Sequence, residues 1–381
     1  MIFKNTNLTT QQFLRDYWQK KPLLIRQAFP NFTPQLDADD IAGLACDELA
    51  ESRLVTGSFP EHDWQLRYGP FSEDDFGDFP ETNWTLLVQD VEKHYPPLQE
   101  LMQQFSFLPR WRIDDLMVSV AGPGGSVGPH TDQYDVFLLQ AQGSRRWQIA
   151  EAFDDILLPN CELNVLQNFQ AEQEWVLEPG DMLYLPPGIA HHGVAIDQCM
   201  TWSIGMRAPS AADFFQTFGE WLADQRGEGD RYRDPGLEIA TRSGEIDPLA
   251  IGQFQDFFRA RDTGGDDFSA FLGAFLSRYR LAQEPASPTE LIDPPGLKKS
   301  LARGETLKLN PWTRLLWIES KNGAQLFAAG AAFSCDAGFA QSICDPDQLC
   351  QLDHSLSEPD LILLCELLNL GHLFLANPGS E

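Results

Sequence analysis

The sequence predicts an α+β protein with a central β-sandwich or barrel, flanking helices, a helical region and a small C-terminal α+β module. Three patterns lead to this fold class. Short apolar or alternating segments, separated by Gly/Pro turns, fill residues 111–207. Residues 210–284 carry Phe side chains at helical spacing. The last part combines helical patterns with one strong hairpin signal.

The N-terminal elements come first along the chain. An amphipathic helix is predicted over residues 8–20, because Phe13, Tyr17 and Trp18 recur at helical spacing. A short strand over 22–26 and a helix over 37–50 with an acidic first turn follow. The β region then contains strands predicted at residues 111–120, 136–140, 146–150, 174–177, 182–185 and 200–206. A nucleotide-binding α/β domain is disfavoured, since no glycine-rich phosphate motif lies in a βαβ pattern.

The C-terminal half divides in two. Apolar faces that include Phe214, Phe218 and Phe271 either cover the β domain or form a homodimer interface, and we expect the interface. After a Pro-rich linker, a hairpin around Asn322-Gly323 and a helix over 360–374 indicate a winged helix. The predicted domains are therefore residues 1–208 (β core and catalytic domain), 209–285 (helical dimerisation region) and 286–381 (winged-helix-like domain).

Charge and cysteine usage restrict the function classes. The chain has 27 Lys+Arg against 56 Asp+Glu, a formal charge of −29. Such a chain repels nucleic-acid phosphates, so we expect no direct DNA binding and a basic partner instead. Seven cysteines without a CxxC pair indicate reduced thiols in the cytoplasm. No signal peptide and no membrane span are expected, because the most apolar stretch, 361–376, is interrupted by polar residues.

A candidate metal site comes from two segments that are distant in sequence. His130 and Asp132 follow the turn GPGGSVGP and open a strand, on which residues i and i+2 share a face. His191 follows a PPG turn, whereas the adjacent His192 would point the other way. Two imidazoles and one carboxylate form the incomplete ligand set of non-haem Fe(II) oxygenases. A structural zinc site would instead have four ligands, usually with Cys.

A cation for an anionic co-substrate is available beside these ligands. A 2-oxoacid needs a partner for its distal carboxylate, and a guanidinium can bind a carboxylate with two parallel hydrogen bonds. Arg145 and Arg146 begin the strand that follows the ligand pair. Because neighbours on a strand point in opposite directions, one of them can face inward.

Further polar side chains share the parity of the ligands. Asp115 and Ser119 would lie on one face of their strand, where Asp115 either binds a cationic substrate or is a paired structural carboxylate. Thr201 and Ser203 share the parity of His191 and can line the same cavity. Tyr134 shares the parity of Asp132.

With these motifs, the chain resembles the bacterial JmjC-type ribosomal oxygenases, 2-oxoglutarate-dependent arginine hydroxylases that act on large-subunit ribosomal protein L-sixteen. The resemblance covers nearly the whole chain. It rests on FLRDYWQKKPLLIRQAF, SRLVTG, ETNWTLLVQDVEKH, WRIDDLMVSV, PGGSVGPHTDQYDVFLLQAQGSRRWQI, LEPGDMLYLPPGIAHHG and SIGMRAP.

The resemblance implies a double-stranded β-helix core of the jelly-roll (cupin-like) type, a helical dimerisation region and a C-terminal winged helix. It implies Fe(II) bound by His130, Asp132 and His191, with 2-oxoglutarate and O2 as co-substrates. It places the 2-oxoglutarate carboxylate on Arg145, while strand parity adds Ser119 and Thr201 as contacts. The residues expected around the target arginine are Asp115, Tyr134 and Ser203.

Two other functions remain open from sequence. One is a different oxygenase of the same fold, such as a lysine demethylase or a histidine hydroxylase. The other is a non-enzymatic acidic protein that binds ribosomal proteins. The expected partner is a basic ribosomal protein of the large subunit, as the substrate.

Overall fold

The computed structural model describes residues 2–3, 6, 8–226, 232, 246, 248–259 and 266–377. They form two compact units, Met1–Ala208 and Pro209–Glu381. Among the described residues, no helix is long and apolar enough to cross a membrane.

In its described part, the first unit contains five short α-helices and twelve strands. The helices are α1 (Thr10–Asp16), α2 (Ala38–Ala45), α3 (Glu73–Gly77), α4 (Val91–His94) and α5 (Gln99–Gln103), with 3₁₀ turns at Pro96–Leu98 and Arg110–Arg112. The strands are β1 (Leu23–Ile25), β2 (Ser52–Thr56), β3 (Gln65–Tyr68), β4 (Trp84–Val88), β5 (Leu116–Ala121), β6 (His130–Thr131), β7 (Asp135–Gln142), β8 (Arg145–Ala150), β9 (Gln173–Leu177), β10 (Met182–Leu185), β11 (Ala190–Ala195) and β12 (Cys199–Met206).

Two antiparallel sheets build the core of this unit. The larger has the order β1-β10-β7-β12-β5-β4-β2-β3, and the smaller has the order β6-β11-β8-β9. Side chains from both sheets meet in one apolar cluster, which includes Leu138 and Leu183 from the larger sheet and Trp147 and Ile149 from the smaller. The opposite face of the larger sheet packs on the helices through a cluster that includes Phe13 and Trp202. The predicted double-stranded β-helix is thus confirmed.

Local chemistry explains where the first elements begin. Helix α1 starts with a capping box, in which the Thr9 hydroxyl accepts from the Gln12 N–H and the Gln12 side chain accepts from Thr9 N–H. It is shorter than the predicted helix over 8–20. Strand β5 also starts later than predicted, at Leu116, because a 3₁₀ turn occupies Arg110–Arg112.

The second unit contains seven helices and five strands among its described residues. They are α6 (Ala211–Arg226), α7 (Pro248–Arg259), α8 (Asp266–Arg278), α9 (Pro294–Ala302), β13 (Thr306–Leu309), β14 (Leu316–Ser320), β15 (Gly323–Ala328), β16 (Ala331–Cys335), α10 (Ala337–Cys344), α11 (Pro346–Leu349), α12 (Glu358–Asn369) and β17 (Leu373–Ala376). Strands β14–β16 form one antiparallel sheet, and β13 pairs with β17.

The predicted hairpin is confirmed, although the two-residue turn between β14 and β15 is Lys321-Asn322, one residue earlier than the predicted Asn322-Gly323. The predicted helix over 360–374 is wrong at its C-terminal end. There, Leu373–Ala376 leaves the helical path and pairs with Thr306–Leu309 as a strand. Gly371 allows this change, because its φ of +80° is a conformation that L side chains rarely adopt.

Part of the aromatic surface predicted for dimerisation is buried within this unit. Phe218, Phe271 and Phe275 of α6 and α8 form one cluster, and helix α8 also packs on β14 and β15. Other apolar side chains stay exposed, among them Phe215 and, on α7, Leu249 and Phe254. The homodimer therefore remains a prediction.

Candidate metal centre and its pocket

The two predicted metal-binding histidines are brought together by strand pairing. His130 on β6 and His191 on β11 are directly opposed antiparallel partners, so their side chains leave the sheet on the same side. Their ring centroids lie 4.2 Å apart. The Asp132 Oδ2 lies 4.0 Å from His130 Nε2 and 3.6 Å from His191 Nε2. Sequence reasoning placed these three groups at a common point, and the structure does so.

The turns beside each histidine fix its ring. The Nδ1 of His130 lies 2.9 Å from the Gly128 carbonyl oxygen, and the Nδ1 of His191 lies 2.9 Å from that of Ile189. A carbonyl can only accept, so each Nδ1 is the protonated nitrogen and donates to it. Each Nε2 therefore presents an unprotonated lone pair toward Asp132, the tautomer that a metal ligand needs.

Burial keeps His191 neutral. Burial first, and then the neighbouring His130, lower the pKa of His191 to about 4. A neutral imidazole is the form that binds a metal ion. Among the described residues, His130, Asp132 and His191 are the one set of three or more such groups whose ligand atoms all lie within 4.8 Å of one another. This nitrogen–nitrogen–oxygen set on one side fits Fe(II) and leaves coordination positions open.

Glycine turns hold the two ligand segments. A Cβ on Gly128, which has a φ of +81°, would lie 2.7 Å from Val165. The PPG turn ends at Gly188, with a φ of +79°, and its N–H donates to the Asp132 carbonyl at 2.8 Å. This bond joins the two ligand segments, so the carboxylate and His191 are positioned together.

Arg145 lies on the same face as the metal ligands. It pairs with Ala195 on β11, four residues beyond His191, and strand alternation gives both the same orientation. Arg145 is only 4% exposed, and its Nε and Nη2 are buried without a hydrogen-bond partner. A buried guanidinium with unused donors is costly unless an anion binds it. The next residue, Arg146, is half-exposed and lies 4.0 Å from Glu174, so the inward-facing arginine is Arg145.

The hydroxyl side chains of β5 and β12 form a separate polar strip. Ser119 and Thr201 are Cα partners, and Ser119 Oγ donates to the Thr201 carbonyl at 3.4 Å. Thr201 Oγ1 donates to Gln140 Oε1 at 3.1 Å. Within the described part of the chain, the Ser119 hydroxyl thus bonds to β12 and the Thr201 hydroxyl bonds to Gln140 on β7, and no hydrogen bond joins either hydroxyl to Arg145. Gln140 was missed from sequence, although an amide inside the apolar run VFLLQAQ is a signal for it.

Asp115, the carboxylate predicted to bind the substrate, lies close to the backbone of Gly205. A Cβ on Gly205 would lie 2.9 Å from Asp115 Oδ1. The Asp115 carbonyl accepts the Gly205 N–H at 3.0 Å, so Asp115 extends the ladder although it precedes β5. Burial and the nearby carboxylates of Asp114 and Asp90 raise the pKa of Asp115 to about 7.

Tyr134 and Ser203 lie near this carboxylate in the fold. Ser203 is buried and pairs with Met117 on β5. The Arg207 guanidinium carbon lies 4.5 Å from the centroid of the Tyr134 ring, and its Nε lies 3.1 Å from Asp114 Oδ2. Burial raises the pKa of Tyr134 above its usual value. Sequence reasoning missed Arg207, which follows β12 directly.

His192 points away from the metal ligands. Its ring packs edge-on against Phe59 and Phe169, with centroid distances of 5.6 and 6.0 Å. Burial lowers its pKa to about 3. Its role is therefore to fill the outer layer beside His191.

Comparisons with known proteins agree with this geometry. A JmjC domain model matches residues 100–214, and a model of the ROXA-like winged helix matches residues 259–374. The chain is 36% identical over 325 residues to the ribosomal protein uL16 3-hydroxylase of Escherichia coli, covering 85% of each protein. It is 41% identical to a probable ribosomal oxygenase of Haemophilus influenzae, over 65% of this chain and 59% of that protein.

Comparison with solved structures points to the same protein family. A structure of YcfD, a ribosomal oxygenase from Escherichia coli, in complex with cobalt and 2-oxoglutarate superimposes with a TM-score of 0.84 and 32% identity. The match covers 97% of this chain and 99% of that one. With fold, ligand geometry and sequence in agreement, this chain belongs to the JmjC ribosomal oxygenase family.

Proposed function

We propose that this protein is an Fe(II)- and 2-oxoglutarate-dependent oxygenase that hydroxylates an arginine side chain of ribosomal protein uL16. The observation that carries the proposal is the combination of an open two-histidine, one-carboxylate set with the buried, unpartnered Arg145. An open metal site and an anion partner on the same face are what a metal-chelating 2-oxoacid requires. The relatives named above support uL16 as the substrate.

In this proposal, His130, Asp132 and His191 hold Fe(II) through the His Nε2 atoms and the carboxylate. When bound, the metal and 2-oxoglutarate supply the activation of O2 that hydroxylation of an unactivated C–H bond requires. The protein positions the reactants and shields the site from water.

Arg145 orients the co-substrate by donating from Nε and Nη2 to its distal carboxylate. Ser119 and Thr201 lie on the facing sheet and add hydroxyl contacts. When 2-oxoglutarate binds, both of these Arg145 nitrogens gain a hydrogen-bond partner. Binding therefore removes the free-energy cost of the unpaired buried cation.

The target arginine enters the pocket of Asp115, Tyr134 and Ser203. The Asp115 carboxylate accepts from the substrate guanidinium, and this contact fixes which side-chain carbon faces the metal. A neutral side chain would add no charge to balance that carboxylate, which disfavours it.

The acidic surface suits a basic ribosomal substrate. A net charge of −29 attracts such a protein over several ångströms and increases the encounter rate. We place the protein in the cytoplasm, where ribosomes are assembled, as a homodimer formed through the helical region 209–285. We assign no direct DNA contact to it.

Intact-mass spectrometry tests the proposal. Purified uL16 is incubated in air with the protein, Fe(II) and 2-oxoglutarate, and Asp132→Ala is the matched variant. A gain of one oxygen atom with wild type and none with the variant is the expected result. Formaldehyde release would point to a demethylase, and equal binding of uL16 without any oxidation would point to a binding protein.

A further inference from the structure

A buried acidic cluster lies behind the substrate carboxylate. Glu92 on α4 is only 3% exposed. Its Oε2 accepts the N–H of Leu116 at 2.9 Å, and Leu116 directly follows Asp115. Its Oε1 lies 3.8 Å from the Lys93 ammonium, which also forms a short ion pair with Asp90. Glu92 therefore fixes the first residue of β5, the strand next to Asp115.

The cluster has more carboxyl groups than cations. Among the described residues, two permanently charged cations face it: Lys93 on α4 itself and Arg207 after β12, which pairs with Asp114 at 3.1 Å. Two further titratable groups, His94 beside Asp90 and Tyr134 beside Asp115, also face the cluster. The carboxyl groups that face one another from α4 and from the start of β5 are Asp90, Glu92, Asp114 and Asp115. Ionising all four carboxyl groups beside only two cations is unfavourable in free energy at a buried site. The cluster therefore retains protons while no further cation is bound.

The pKa shifts of the two central groups agree with this excess of carboxyl groups. Burial first, with Asp115 and Asp90 adding to it, raises the pKa of Glu92 to about 8. The pKa of Asp115 is about 7. Near neutral pH, both carboxyl groups are therefore partly protonated in the free protein.

We propose that Glu92 is a positioning residue for arginine recognition: it supports Asp115 through the Leu116 N–H, and the Glu92–Asp115 pair releases a proton to solvent when a substrate guanidinium enters. This inference rests on the proposed function, because it requires an arginine in the Asp115 pocket. The entering cation favours the ionised form of both carboxyl groups, so proton release and arginine binding are linked by the same free energy.

Glu92→Gln separates this role from a purely structural one. The amide oxygen still accepts the Leu116 N–H, so the start of β5 keeps its bond, whereas the titrating group is lost. The matched control is Glu100→Gln, because Glu100 is an exposed acid on the nearby helix α5. Both substitutions remove one carboxyl group, but only the first removes it from the cluster.

Calorimetric titration in two buffers of different ionisation enthalpy measures the protons released. The protein carries Mn(II) and 2-oxoglutarate, and the probes are uL16 and N-acetylarginine amide at pH 7. Wild type and Glu100→Gln should release about 0.5–1 proton on binding either probe. Glu92→Gln should release less than half as much. Its KM for uL16 should also vary less between pH 6 and 8.5, with kcat retained.

Two results would overturn the inference. One is the absence of proton release from wild type, a measurement that requires no variant to fold. The other is equal proton release and an equal KM profile in wild type and Glu92→Gln. Proton-linked binding of N-acetylarginine amide without hydroxylation of uL16 would refute the proposed substrate and leave this inference standing. Hydroxylation of uL16 without proton release on binding would refute this inference and leave the proposed function standing.

Discussion

Replacing Arg145 with Met should weaken 2-oxoglutarate binding strongly. The wild-type side chain has two buried donors without a hydrogen-bond partner, which the proposed function assigns to the distal carboxylate. Removing one partner of a buried charged pair costs about 2–5 kcal/mol, much of it from the group left unpaired. Taking about 3 kcal/mol, the Kd of 2-oxoglutarate rises about 100-fold. Met is apolar and of similar length, so it can retain contact with Trp147, whose ring centroid lies 5.8 Å from the guanidinium carbon.

The same substitution should stabilise the protein when 2-oxoglutarate is absent. The unpaired guanidinium is 4% exposed, and leaving buried donors unsatisfied costs about 1–3 kcal/mol. Met removes that cost. A gain of about 1 kcal/mol corresponds to a rise in Tm of about 2–4 °C in a unit of this size.

Thermal unfolding with and without 2-oxoglutarate measures both effects, with Mn(II) present to prevent turnover. Wild type should gain stability from the co-substrate, as ligand linkage requires. Arg145→Met should start from a higher Tm and gain little. Arg146→Met is the control, since Arg146 is half-exposed beside Glu174. An unchanged co-substrate shift in Arg145→Met, or an equal loss in Arg146→Met, would refute the role of Arg145.

Three further results are expected. Gly193→Ala should lower stability by about 1–3 kcal/mol, measured by urea unfolding, because its Cβ would lie 2.7 Å from the Trp147 ring; an unchanged midpoint would contradict this packing. The free energy of unfolding should fall as pH rises from about 5 to 8, because burial raises the pKa of Glu92 to about 8 and the folded state keeps a proton that the unfolded chain loses. Glu92→Gln should reduce this pH-dependent change in the free energy of unfolding by an amount on the order of a few kcal/mol. Urea unfolding of both proteins at pH 5.5 and 8.5 measures the difference. The KM for uL16 should rise about tenfold between about 50 and 300 mM NaCl with kcat steady, and a flat profile would remove the role of the acidic surface.

The candidate metal-binding residues could be predicted from sequence because strand alternation and turn residues are local signals. The i, i+2 spacing of His130 and Asp132 sets their common face, and the PPG turn places His191 at a strand start. What could not be predicted is the pairing of β6 with β11, which brings the rings to 4.2 Å. The carbonyl partners that set each tautomer depend on that three-dimensional turn geometry.

The errors have a common physical cause, which is non-local pairing. Leu373–Ala376 continues an apolar helical pattern, but pairing with β13 turns it into a strand. Asp114 and Asp115 continue a strand-like run, yet a 3₁₀ turn at Arg110–Arg112 precedes them. There Arg112 pairs with the distant Asp135 at 2.9 Å. Strands β2–β4 extend the large sheet and lie among aperiodic segments, so periodicity does not reveal them.

The acidic cluster behind Asp115 was also beyond sequence reasoning. The segment DVEKHY reads as a solvated helical turn, because charged residues are mostly exposed. Its burial follows from contacts of α4 with β5. From sequence alone, a carboxylate such as Glu92 is expected at the surface. Its hydrogen bond from the Leu116 backbone N–H, which accounts for its buried position, is visible only in the structure.

The most direct test of the central claim is hydroxylation of uL16 under isotopically heavy dioxygen, followed by tandem mass spectrometry. One heavy oxygen atom on a carbon of an arginine side chain is expected, with one succinate formed per hydroxylation and neither product with Asp132→Ala. Oxygen on another residue type, or equal oxidation by the Asp132→Ala variant, would contradict the assignment of this site to arginine hydroxylation.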